Sequence, residues 1–137
     1  MHTVLDTNVV VSAFLFRGDA SAIHRAVIEG RIIPYISRPI LSEYTRVFAY
    51  PKFRLTNAEI GYLLDHEIRP WFRPIINPIL KHTWIREDPA DDIFINAAQA
   101  INNVYLVSGD RHIIDSRDNL PVKVLTIREA LDRLRRE

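Results

Sequence analysis

The chain of 137 residues carries 18 lysines and arginines against 17 aspartates and glutamates, a formal net charge of +1, and contains no cysteine. That length suits one compact domain spanning 1–137, able to fold without disulfides or a structural metal, and the missing thiols exclude a disulfide scaffold, a thiolate zinc site and a cysteine nucleophile. With the charges so nearly balanced, any attraction for a polyanion has to come from local clusters of arginine rather than from a general basic field.

Thr3-Val4-Leu5 is a short apolar run ending at Asp6-Thr7-Asn8, and Val9 to Leu15 resumes as a segment that reads as a buried helix. The opening residues lack the basic segment of a signal peptide, and the run Val9 to Phe16, interrupted by Ser12, is too short to span a bilayer, so a cytoplasmic protein is expected. Ser21 is placed to cap a second helix with Ile23, Ala26 and Val27 on its apolar face, and Gly30 stands where a C-terminal cap is expected. Arg31 to Ser37 reads as a strand, with Pro34 an objection to placing it inside a sheet. A helix begins at Pro39, with Ile40, Leu41, Tyr44, Val47 and Phe48 at helical spacing, until Pro51 stops it.

Thr56-Asn57-Ala58-Glu59 is a capping box for a further helix with Ile60, Leu63, Leu64 and Ile68 on one face. Pro70, Pro74 and Pro78 break the next stretch into short extended or irregular pieces, with a brief strand expected near His82 to Ile85. Asp88-Pro89-Ala90-Asp91 opens the next helix, whose buried stripe is Phe94, Ala97, Ala98 and Ile101. Val104 to Val107 is a fully apolar strand ending at Ser108-Gly109-Asp110, Val122 to Leu125 a last strand, and Ile127 to Arg136 a last helix with a basic end. Strands alternating with helices predict a mostly parallel sheet of four to five strands with helices on both faces. Ligands of such sheets bind beyond the carboxyl ends of the strands.

Two of those ends carry acids, Asp6 and Asp110, each of which also suits a turn or a helix cap. Glu43 lies on the border of the apolar stripe of its helix, and Asp91 and Asp92 begin a helix, where negative charge is favoured in any case. Taken together the carboxylates say more than singly. At ~5 Å and an effective dielectric of about 20, each like-charged pair costs roughly 3 kcal/mol, so a cation has to offset them. Oxygen ligands alone, with none of His2, His24, His66, His82 and His112 at ligand spacing with another, suit a hard ion, Mg2+ or Mn2+. Such ions typically act on phosphate esters.

Leu5-Asp6-Thr7-Asn8-Val9, Leu41-Ser42-Glu43, Asp88-Pro89-Ala90-Asp91-Asp92-Ile93-Phe94 and Val107-Ser108-Gly109-Asp110 succeed one another in the order seen in PIN domains. Over essentially its whole length the chain resembles the PIN-family toxins of bacterial and archaeal toxin–antitoxin systems. The resemblance implies a three-layer α/β/α sandwich and a metal-binding quartet of Asp6, Glu43, Asp91 and Asp110. It also implies accessory polar roles for Asn8 and Ser108, with Asp92 the alternative to its neighbour or an accessory group. It further implies endonucleolytic cleavage of RNA by a metal-activated water, leaving a 5′-phosphate, with a homodimer or higher oligomer and a cognate antitoxin as partners. His112 departs from the pattern, standing where many relatives have a second aspartate after the Gly-Asp turn. Arg17, Arg38 and Arg111 are candidates for flanking phosphates, and Trp71 and Phe72 for an exposed apolar contact, although core packing is the plainest account of Tyr62, Trp71, Phe72 and Trp84.

Other acidic-edged folds fit less well. A response-regulator receiver needs an acid pair after its first strand and a lysine ending its fifth, whereas Asp6 stands alone and Lys123 lies inside a strand. A haloacid-dehalogenase phosphatase needs two aspartates one residue apart where this chain has Asp6-Thr7-Asn8. The stronger alternative is a PIN fold working chiefly as a binding module in an antitoxin or RNA-processing complex.

Overall fold

A computed structural model describes residues 1–16, 18–76 and 92–137. Among the described residues the sheet has five parallel strands, in spatial order β3 (Arg73–Pro74), β2 (Ile33–Ile36), β1 (His2–Leu5), β4 (Tyr105–Val107) and β5 (Lys123–Leu125). The central strand β1 (His2–Leu5) is buried at Thr3, Val4 and Leu5. Helix α1 (Thr7–Leu15) leaves directly from its end, buried at Val9, Val10, Val11 and Ala13. In α2 (Ser21–Ile28) the expected face of Ile23, Ala26 and Val27 is buried. Its cap differs from expectation: Ala20 precedes the helix without a side-chain bond, and the Ser21 hydroxyl instead donates to the Gly18 carbonyl at 2.7 Å. Gly30 ends the unit with a φ of 76°, a left-handed conformation that favours glycine.

β2 (Ile33–Ile36) contains Pro34 although a strand lies on either side of it. The Ile33 amide donates to the carbonyl of Met1, just ahead of β1, so by strand alternation the Pro34 nitrogen faces the other neighbour. That neighbour, β3 (Arg73–Pro74), begins opposite Tyr35. The missing donor therefore meets no ladder partner. α3 (Arg38–Phe48) is capped by Ser37, whose Oγ accepts from the Ile40 amide, with Pro39 in the first turn. The Thr56/Glu59 capping box opens α4 (Asn57–Tyr62) as expected. Residues Leu63–Ile68 then widen into π-type winding rather than continuing the α-helix, with the Arg69 amide bonding the Leu64 carbonyl. This winding buries Ile68 while Leu63 and Leu64 are only partly covered.

The strand expected at His82 to Ile85 and the helix start at Asp88 to Asp91 lie outside the described residues. The helix itself appears as α5 (Asp92–Gln99), buried at Phe94, Ala97 and Ala98. β4 (Tyr105–Val107) pairs with β1, Leu5 opposite Val107. Helix α6 (Arg111–Asp115) and a 3-10 turn (Arg117–Asn119) then intervene before β5 (Lys123–Leu125), elements the periodicity does not announce. α7 (Ile127–Arg135) closes the chain, with a second capping box at Thr126 and Glu129. α5 packs on β1 and β4, α3 on α5 and α1, and α7 on β5 and α2, giving a three-layer α/β/α arrangement. The core between the layers includes Ile40, Tyr44, Phe48, Phe94, Ile95 and Leu106, and burying each large apolar side chain contributes about 1.5–3 kcal/mol.

Candidate functional site

The strand order reverses direction between β1 and β4: the chain moves from β1 outward to β2 and β3, then returns past β1 to lay down β4 and β5. The crevice beyond the carboxyl ends of β1 and β4 is thus the topological switch point, the ordinary ligand position of an open parallel sheet. Asp6 comes directly after β1 there, and Ser108 and Asp110 come after β4.

Asp6 is only 3% exposed. Its amide donates to the Val107 carbonyl at 3.0 Å, extending the ladder by one bond. One carboxylate oxygen, Oδ1, accepts from the Thr7 amide at 2.7 Å, and the other, Oδ2, accepts from the Ser108 hydroxyl at 2.6 Å. Asp6 therefore caps α1 from the carboxyl edge of the sheet. Its carboxylate stands at the partially positive N-terminus of α1. The Ser108 Oγ in turn accepts from the Asp110 amide at 3.0 Å. The fully buried serine thereby ties the two acid-bearing turns to each other, and its own amide bonds the Leu125 carbonyl at the end of β5. Asp110 caps α6, its Oδ1 accepting from the His112 and Ile113 amides at 2.8 and 3.3 Å.

The remaining candidates divide. Asp92 opens α5 and is buried, at 7% exposure. α5 runs back to the start of β4, so its first turn lies at the same carboxyl edge of the sheet. Asp91 is outside the described residues. Glu43 sits in the second turn of α3 with its side chain 18% exposed, and both its oxygens accept from Arg46, at 2.6 and 3.2 Å. The bond to Glu43 first, and one to Tyr50 second, raise the Arg46 pKa above its ordinary range. Asn8 is exposed. Among the described residues no group of three or more acids or histidines is gathered as a metal site.

The donor set nonetheless fits a hard cation in kind. Asp6 and Asp110 offer carboxylate oxygens on adjacent strand ends, a carboxylate oxygen that accepts one bond keeps a second lone pair, and Asp110 Oδ2 takes no hydrogen bond among the described residues. Each Glu43 oxygen likewise accepts one bond, from the Arg46 guanidinium, which would compete with an ion for that carboxylate. Two clefts of about 780 and 550 Å3 are lined by residues of β2, α3 and β3 and by residues of α2 and α7 respectively. None of Asp6, Glu43, Asp92 and Asp110 lines either of them. Arg38 borders the larger cleft, Arg111 is exposed beside Asp110, and Arg17 lies outside the described residues. Phe72 is core, whereas Trp71 and Tyr62 are 39% and 58% exposed.

Sequence periodicity assigns Tyr44 to the apolar stripe and nothing more. In the structure its buried hydroxyl donates to the Leu5 carbonyl, immediately before Asp6. The signal is present in a phenol placed on a buried helix face next to Glu43, since buried hydroxyls need partners.

A family model described as "PIN domain" matches residues 2–112, well over half of the chain and the stretch containing every candidate acid. No curated protein and no solved structure matches at a significant level. Among the described residues no helix is long and apolar enough to cross a membrane.

Proposed function

The chain belongs to the PIN-domain family, and from that premise we propose that it is a metal-dependent endoribonuclease acting as the toxin of a toxin–antitoxin pair. PIN domains in general are nucleases that use divalent ions. The observation that carries the finer reading is the Asp6–Ser108–Asp110 linkage across two neighbouring strand ends at the switch point of the sheet. In this proposal Asp6, Glu43, Asp91 and Asp110 hold Mg2+ or Mn2+, with Ser108, Asn8 and Asp92 in accessory positions. Such an ion would supply Lewis acidity, lowering the pKa of a water and neutralising charge at the phosphate. The chain's own part is to hold the carboxylates at one edge: the Thr7 amide and Ser108 hydroxyl orient Asp6, and the α6 amides orient Asp110. A cytoplasmic setting, a homodimer and a cognate antitoxin belong to the same proposal.

Two observations favour a second reading, a catalytically weak binding module. The Glu43 carboxylate is already engaged by Arg46, and Phe16, Tyr62 and Trp71 present exposed aromatic surface of the kind partners cover. Cleavage of a mixed single-stranded RNA pool with Mn2+, Mg2+ or EDTA separates the two. The wild type is expected to cut only with metal, and Asp6→Asn, Asp91→Asn and Asp110→Asn to lose about a hundredfold or more while staying folded. A wild type inert with both ions, or variants that cut equally well, would replace the nuclease by the binding module.

A further inference from the structure

The β1–β2 pairing runs from His2 opposite Ile33 to Val4 opposite Tyr35 and goes no further. The Met1 carbonyl accepts from Ile33 of β2, so alternation along the strand points the Leu5 carbonyl to the same side. That carbonyl takes the hydroxyl of Tyr44 where a further strand amide would have stood. The bond closes β1 at the residue from which Asp6 departs.

Tyr44 is fully buried, and its ring meets the edge of Phe72 at 6.1 Å between centroids and stacks on Phe94 at 6.4 Å. Three acid-bearing elements therefore converge on one side chain: the end of β1 with Asp6, α3 with Glu43 as the preceding residue, and α5, where Phe94 lies two residues beyond Asp92. We propose that Tyr44 is the positioning residue of the acidic edge, its hydroxyl locking the Asp6 turn of β1 to the helix that carries Glu43. Burial, and secondarily the Asp6 charge, push the phenol's ionisation well up, which keeps it a hydrogen-bond donor and agrees with its nearness to that carboxylate. The inference rests on the reading of this edge as the metal-binding site.

The test compares the wild type with Tyr44→Phe, which keeps the ring and removes the hydroxyl. Leu134→Ala in α7, a buried position away from the edge, controls for general loss of stability. Amide hydrogen exchange is measured on the metal-free proteins, and then Mn2+ titration calorimetry and the kcat and KM of RNA cleavage. In Tyr44→Phe the amides of Asp6 and Thr7 are expected to exchange about tenfold faster, with those of Leu106 and Val124 near wild type. Mn2+ binding is expected to weaken and kcat to fall, each about tenfold, at unchanged KM for RNA. Leu134→Ala is expected to speed exchange throughout and leave Mn2+ affinity alone.

A Tyr44→Phe protein with wild-type exchange at Asp6 and Thr7, or with the uniform pattern of the control, overturns the proposal. Phe72→Leu supplies a second arm, because it disturbs the ring's packing and leaves the hydroxyl. It is expected to keep wild-type exchange at Asp6 and Thr7, and a loss there as large as in Tyr44→Phe assigns the effect to packing and also overturns the role of the hydroxyl. If the wild type neither binds Mn2+ nor cuts RNA, the nuclease reading fails, while the exchange comparison still decides the part played by Tyr44.

Discussion

A serine hydroxyl has one proton to donate and two lone pairs to accept with, and Ser108 uses it in both directions, donating to Asp6 Oδ2 and accepting from the Asp110 amide. Ser108→Ala removes a buried hydroxyl that donates to Asp6 Oδ2 and accepts from the Asp110 amide. We expect a stability loss of about 1–3 kcal/mol by urea denaturation and a fall in metal-dependent cleavage of about 10- to 100-fold, whereas Asn8→Ala, at an exposed position, should leave stability within about 0.5 kcal/mol of wild type. Tyr44 provides a spectroscopic check at the same scale. Its phenol is held protonated first by burial and then by the Asp6 charge. A group whose folded pKa is raised contributes stability that is intact below its unfolded value, here 10.0, and lost as pH rises above it. Ultraviolet absorbance of the tyrosinate should therefore show Tyr44 ionising only together with alkaline unfolding, and Tyr44→Phe should remove that step.

At the scale of elements, α4 and α7 begin with the same device, a threonine hydroxyl accepting from the amide three residues on and a glutamate accepting from the threonine amide. Those backbone bonds lower the pKa of Glu59 and Glu129, the latter also through Arg117 at 2.7 Å. Depressed folded-state values mean that the contribution is present above the unfolded carboxyl pKa, 4.5, and is lost as pH falls through the lower folded one. The midpoint of thermal unfolding should drop on acidification below about pH 4.5, and less steeply in a Glu59→Gln/Glu129→Gln double variant. Thr126→Ala should cost about 1 kcal/mol at any pH above that range. Gly30, between α2 and β2, has open space where a Cβ would go and a φ of 76°. Gly30→Ala should thus destabilise by about 1–2 kcal/mol through backbone strain alone, readable in the same denaturation assay.

For the whole molecule the sheet order decides what meets what. Because β1 and β4 are neighbours, residues 6 and 108, far apart along the chain, share a hydrogen bond, and folding and site assembly become one event. A metal that binds the folded edge and not the unfolded chain stabilises by mass action, about 2.7 kcal/mol at a hundredfold excess over its dissociation constant. Mn2+ is accordingly expected to raise the unfolding midpoint of the wild type and not that of Asp6→Asn. Equal shifts in both proteins would mean that the ion binds elsewhere.

Much of this architecture is legible from local pattern. Apolar runs, the helix start at Pro39, the Thr56/Glu59 box and the strand ends at Asp6 and Asp110 depend on neighbours a few residues apart, which lie side by side in the sequence. The parallel α/β class comes from the alternation of strands and helices, and the family from the order of the acidic motifs. Short elements escape because so little periodicity fits into them: α6 is a single turn and a half built on the Asp110 cap, and β3 is two residues defined by pairing to β2 rather than by composition. Ser21 departs from its expected capping role for a related reason, since a hydroxyl both donates and accepts, and only the position of the Gly18 carbonyl chooses between them. Tertiary structure alone decides which oxygen of Asp6 meets Ser108 and that Tyr44 reaches back to Leu5. Those contacts depend on where separate elements cross and which way a rotamer turns, and local periodicity carries neither.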